Sequence, residues 1–127
     1  MKNSTQLTIA SLLSLLLLSI HFVDDIHRGI SPAGADNIGA VAILVVWLVG
    51  ILLLAERRMG IVIMLLGGIF AAGMPVLHMR GARYPTIAEG EGGFFFVWIL
   101  VAVGTAGVYT IILAVRELWL RRAGRMG

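Results

Sequence analysis

Hydrophobic and polar positions divide this chain into long blocks, in which four apolar stretches are separated by three polar connections. The apolar stretches run from Leu7 to Val23, from Ile38 to Ala55, from Met59 to Leu77 and from Phe94 to Val115. Their roughly 17 to 22 residues span about 26 to 33 Å as helix, which matches a hydrocarbon core of about 30 Å. Because backbone groups in lipid must bond within their own segment, each stretch predicts a transmembrane helix.

The predicted fold is all-α, an integral membrane four-helix bundle that forms one domain over residues 1–127. Helices are expected at about residues 7–28, 38–55, 59–78 and 94–118. The connection Glu56-Arg57-Arg58 is so short that neighbouring helices must be antiparallel. Lys2 before an apolar run resembles a signal peptide, but no small-x-small cleavage pattern follows, so an uncleaved first helix is expected.

Composition supports a membrane protein and excludes several other classes. Hydrophobic residues make up 59% of the 127 residues and charged residues 13%, against about 25% charged in a soluble domain. The net charge of +3 does not indicate nucleic-acid binding, since the basic residues flank apolar spans and form no stripe. The absence of cysteine excludes thiol redox chemistry, disulfides and thiolate metal sites.

The basic residues predict the orientation. With the N-terminus inside, seven lie inside: Lys2, Arg57, Arg58, Arg116, Arg121, Arg122 and Arg125. Three lie outside: Arg28, Arg80 and Arg83. This asymmetry favours both termini in the cytoplasm. In length and number of spans the chain resembles small bacterial membrane proteins, so the bacterial cytoplasmic membrane is the expected location.

Small residues recur at four-residue spacing in the third and fourth spans, for example at Gly67 and Ala71 and at Ala102 and Ala106. Such residues let helix backbones approach closely in a membrane. They predict either packing inside one bundle or a face that docks a second protein or a second copy of the chain.

One polar cluster at the predicted outer surface carries the candidate chemistry. If the first helix continues through His21-Phe22-Val23-Asp24-Asp25-Ile26-His27-Arg28, its ionisable side chains reach the same level as those that follow the third span. The cluster has eight members: His21, Asp24, Asp25, His27, Arg28, His78, Arg80 and Arg83. Placing ionisable groups this close to hydrocarbon costs free energy, so their presence indicates a functional site by default.

Several interpretations of the cluster stay open. In the structural one, Asp24 or Asp25 pairs with an arginine, Arg28 or Arg80, and pins the helix ends. In a metal site, His21 and Asp25, four residues apart on one helix, would join His78 to bind zinc, copper(II) or iron.

Haem held between His21 and His78 is a third possibility, and a proton relay a fourth. An enzyme would use Asp24 or Asp25 as general base with one of these histidines as partner. No nucleophile motif or phosphate loop accompanies them, and the middle of the membrane carries no charge that would indicate a channel.

The sequence therefore favours a non-enzymatic accessory protein or subunit that binds partner helices, or a homo-oligomer, and bears an ionic network on its outer face. The alternative is a membrane protein that binds a metal or haem, or relays protons, through His21, Asp25 and His78. No sequence motif identifies a cofactor, so the cofactor stays unknown.

Overall fold

The computed structural model describes residues 2–32 and 34–126, with side chains described as far as Gly124, so that of Arg125 lies outside the described part. Within these residues the chain is helical and has no strand, which confirms the all-α class. Five α-helices follow in order: α1 Asn3–His27, α2 Ile38–Leu54, α3 Arg58–Met79, α4 Tyr84–Glu89 and α5 Gly93–Met126. Four of the described helices, α1, α2, α3 and α5, are long and apolar enough to cross a membrane, where α2 is counted with the 3₁₀ turn before it.

The helices differ from the sequence prediction at three points, the first being that α1 begins at Asn3 and not at about residue 7. The last helix has 34 residues, about 51 Å of helix, and so exceeds a hydrocarbon core of about 30 Å. Its basic last turns therefore extend beyond any apolar layer. The short helix α4 occupies a segment that was expected to be loop, and Pro85 in its first turn is a favourable helix start.

The long helices pack around α5, which lies against α3 and α1, while α2 packs chiefly on α3. The buried side chains along these contacts include Leu7, Leu18, Trp47, Ile61, Met64, Leu100, Val103 and Leu113. Only 17% of the apolar window of α2 is buried, against 39–44% for the other three helices. Exposed apolar surface of this kind suits contact with lipid tails.

Glycine allows α3 and α5 to approach backbone to backbone. A Cβ atom on Gly107 would lie 2.5 Å from the backbone nitrogen of Ala72 and 2.7 Å from the carbonyl oxygen of Gly68. On a different face of α3, Gly67 lies against the ring of Trp47 from α2. These members of the small-residue pattern therefore serve packing within one chain.

Buried polar side chains join the helices at mid-depth. The indole Nε1 of Trp47 donates to the hydroxyl of Ser11 at 2.7 Å, linking α2 to α1. The hydroxyls of Ser14 and Thr110 bond to each other at 3.0 Å, linking α1 to α5. Ser14 also donates to the carbonyl oxygen of Ala10, one turn earlier. Because an unpaired polar group is costly in an apolar interior, both pairs between helices favour the observed helix register.

A second network links three segments at the end that carries the N-terminus. Asn3 donates to Glu117 Oε2 at 2.7 Å, and Arg121 Nε donates to Glu117 Oε1 at 2.9 Å. The Arg121 guanidinium also donates to the carbonyl oxygen of Glu56, between α2 and α3. The start of α1, the α2–α3 turn and the last part of α5 therefore lie together.

A candidate metal centre at the ends of helices α1 and α3

The last turns of α1 present two functional side chains on one face. Because α1 stays helical as far as His27, His21 and Asp25 are one turn apart. The helix ends directly afterwards: the backbone N–H of Ile30 donates to the carbonyl of Asp25, and Gly29 adopts φ +67°. Glycine accepts this left-handed conformation readily, which explains the sharp stop.

The last turn of α3 supplies the third side chain, His78. Its Nδ1 lies 3.1 Å from the carbonyl oxygen of Met74, one turn earlier, and its Nε2 lies 2.8 Å from Asp25 Oδ2. A carbonyl only accepts, so Nδ1 carries the proton of that bond. A hydrogen bond between Nε2 and Asp25 then needs a second proton, carried either by Nε2 or by the carboxyl group. In the neutral ring with an ionised carboxylate, the lone pair of Nε2 is directed into the site.

His21 lies close to both Asp25 and His78 but is not hydrogen bonded to either. His21 Nε2 lies 3.4 Å from Asp25 Oδ2, and the rings of His21 and His78 meet edge to face with centroids 4.6 Å apart. His21 is only 2% exposed. Among the residues that the structure describes, neither ring nitrogen of His21 nor Asp25 Oδ1 has a hydrogen-bond partner. We call His21, Asp25 and His78 the His–Asp–His cluster.

Phe96 and Arg28 enclose the cluster from the side of α5. The ring of Phe96 lies 6.3 Å from that of His21 and 6.1 Å from that of His78, centroid to centroid. The Arg28 guanidinium lies 5.5 Å from the Phe96 centroid and donates to the carbonyls of Glu91 and Gly92. The connection before α5 is thereby fixed to the end of α1.

The eight predicted site residues do not form one network. Asp24 and Arg28 make an ion pair at 2.8 Å, as one of the structural alternatives expected. Asp25, the other carboxylate considered in that alternative, has His78 as its partner. The remaining three lie apart from the cluster: His27 and Arg80 are exposed, and the exposed Arg83 donates to the carbonyl of Gly29.

Sequence reasoning missed two components of the site. Phe96 is one of three consecutive phenylalanines, and nothing in the pattern distinguishes the one that turns inward. A cavity of about 240 Å³ adjoins the cluster between α1, α2 and α3, and it depends on contacts that no local pattern encodes.

The donor atoms of the cluster suit a transition-metal ion. One ligand atom from each of the three residues lies within 4.8 Å of the others. In a tetrahedral zinc site with bonds of about 2.0–2.1 Å, ligand atoms lie about 3.3 Å apart. The distance from His21 to Asp25 already fits, and the pair of Asp25 and His78 would have to open by about half an ångström. The bond from His78 Nδ1 to Met74 is the kind of support that orients a metal-binding imidazole.

Haem does not fit between the two histidines. A porphyrin would have to separate the rings of His21 and His78, whereas they are in direct contact. Two imidazoles and one carboxylate instead match zinc, copper(II) or non-haem iron, and they leave at least one coordination position for another ligand.

Comparison of the chain with protein-family models, with curated proteins and with solved structures finds no match in any of the three. The geometry of the cluster and the chemistry of its side chains therefore indicate what the protein can bind.

Proposed function

We propose that this chain is an integral membrane protein that binds a divalent transition-metal ion through His21, Asp25 and His78. The observation that carries the proposal is the burial of His21 beside a carboxylate and a second imidazole, with both of its nitrogens unpartnered in the described part of the chain. Buried polar atoms are normally satisfied, and a metal ion would satisfy His21 and Asp25 together.

A purely structural role accounts for less of the geometry. The ion pair of Asp25 and His78 uses one imidazole and one carboxylate oxygen. It does not explain why a second imidazole, that of His21, is buried beside them with its nitrogens unpaired in the described part of the chain. A metal ion bonded to all three side chains uses an oxygen of Asp25 and the lone pairs of both histidines. When bound, such an ion polarises a ligand or lowers the pKa of a coordinated water.

The proposal includes an orientation with both termini in the cytoplasm and the cluster at the outer surface. The bonds of Asn3 to Glu117 and of Arg121 to Glu56 support a common side for the N-terminus, the α2–α3 turn and the last part of α5. The excess of basic residues at this end supports its cytoplasmic location.

Metal titration tests the proposal. We expect metal-stripped protein in detergent to bind Zn²⁺ or Co²⁺ at one site, with visible absorption for Co²⁺. His21→Ala removes a ligand and should weaken binding by at least about 100-fold, since even residues that only support metal ligands are worth 10–100-fold. His27→Ala is the matched control, because His27 belongs to the same helix end but is exposed. Absence of binding, or an equal loss in the two variants, would contradict the proposal.

We propose partner binding as a second function, on a separate observation. Helix α2 is apolar all round and leaves most of its surface outside the contacts with α1 and α3. A transmembrane helix of another protein would bury that surface. Purification in mild detergent tests this, since a stoichiometric second protein is expected and a clean monomer would count against it.

A further inference from the structure

The cavity beside the His–Asp–His cluster is lined by a few polar groups and is otherwise largely apolar. All three cluster residues line it. Most of the other lining side chains are apolar, among them Leu18, Phe22, Leu44, Phe70, Met74 and Leu77. Ser31 and Asn37, from the connection between α1 and α2, add the other polar lining groups. A ligand that filled this space would need a polar head at the cluster and an apolar body.

We infer that the cavity binds the acyl chain of a small membrane amphiphile whose anionic oxygen head completes the coordination of the metal. The inference rests on the proposed metal site and adds a class of ligand to it. Three protein ligands leave a fourth position of a tetrahedral ion open to an outside ligand. Because the cavity adjoins the ligand atoms, that position can be reached from the apolar space.

The charge of the loaded site favours a carboxylate-like head. A divalent ion with one carboxylate, Asp25, and two neutral imidazoles has a net charge of +1. A singly charged oxygen donor neutralises it, whereas a neutral head would leave an uncompensated charge next to hydrocarbon.

The size of the cavity favours a short chain. Its volume of about 240 Å³ lies below the range of about 300–1,000 Å³ for drug-sized pockets. Each methylene that enters should strengthen binding about fourfold. Polar water-soluble ligands gain nothing from the apolar side chains that line the cavity.

Three probes on Co²⁺-loaded protein test the inference. Octanohydroxamate has a chelating oxygen head and a chain, acetohydroxamate has the head alone, and octanamide has the chain without the chelating head. We expect octanohydroxamate to change the visible Co²⁺ spectrum with a Kd at least about tenfold below that of acetohydroxamate, as two buried methylenes would give. Octanamide should leave the spectrum unchanged.

A pair of variants locates the chain in the cavity. Ala40, on α2, lines the cavity, whereas Ala42 on the same helix is exposed and lines a different groove. Ala40→Phe should abolish the tenfold advantage of the octanoyl chain and leave Co²⁺ binding intact. Ala42→Phe should retain the advantage.

The outcomes separate this inference from the proposed function. Equal affinities of the two hydroxamates in the unmodified protein, or equal effects of the two variants, would overturn the amphiphile while the metal site stands. Absence of a Co²⁺ spectrum before any probe is added would overturn the metal site itself and the amphiphile with it. The comparison of the two hydroxamates needs no variant, so it decides the question even if Ala40→Phe does not fold.

Discussion

Among the residues that the structure describes, His21 is the one whose burial is least compensated by hydrogen bonds. It is almost fully buried, and its two ring nitrogens have no partner among the side chains and backbone groups that the structure describes. An unpaired buried polar group costs about 1–3 kcal/mol. Packing alone would favour an apolar residue at this position. A histidine is expected here if a ligand bonds to its ring nitrogens and so removes the cost of burial.

This cost leads to a prediction for metal-free protein. His21→Phe replaces the unpaired imidazole with an apolar ring of similar shape and should raise the free energy of unfolding by about 1 kcal/mol. The same variant should lose metal binding. The measurement is thermal unfolding in detergent with a chelator present.

The matched variant is His78→Phe, which should lower stability because it removes the bonds to Asp25 and to the carbonyl of Met74. If His21→Phe proves less stable than the parent protein, His21 has a structural role that the observed contacts do not include. The argument from unpaired burial would then fail.

Between elements, the contact of α3 with α5 leaves no room for a side chain at Gly107. Gly107→Ala would place a methyl group against backbone atoms of Ala72 and Gly68, which cannot move without separating the helices. Overpacking of this kind costs about 1–3 kcal/mol, so a lower Tm is expected. Gly73→Ala, on the α3 side, meets nothing within 4 Å and should stabilise the protein by about 0.4–1 kcal/mol. Similar Tm changes in both variants would contradict the close backbone approach.

The elements were more predictable from sequence than their contacts. The four spans follow from hydropathy, because lipid imposes length and apolarity on each segment separately. The contact of α5 with the start of α1 includes the buried Glu117, whose partner Asn3 is 114 residues away. Local patterns do not encode such a pairing.

The candidate site divides in the same way. Helical spacing is enough to place His21 and Asp25 on one face, and the predicted topology brings His78 to the same level. The side chain that encloses them, Phe96, and the adjoining cavity depend on how α5 and α2 pack. The sequence also did not determine which basic residue each aspartate pairs with. Asp24 and Asp25 are adjacent on α1 and differ only in the direction in which their side chains point from the helix.

For the whole molecule, the two ends have different compositions and therefore different expected environments. One end holds Asn3, Glu117 and Arg121 with most of the basic residues, and the other holds the His–Asp–His cluster. The proposed orientation makes the first end cytoplasmic. Metal ions and amphiphiles would then reach the cluster from the outer surface or the outer leaflet.

Single-cysteine labelling tests that orientation directly, because the native chain has no cysteine. Gly34→Cys and Thr86→Cys introduce thiols at exposed positions in the two connections next to the cluster, and Gly124→Cys introduces one near the other end. A membrane-impermeant maleimide added to intact cells should label the first two and spare the third, which should react only after the membrane is permeabilised. Labelling of all three variants in detergent is the control for thiol reactivity. The reverse pattern would invert the protein in the membrane, and labelling of Gly34→Cys and Gly124→Cys from the same side would exclude four crossings.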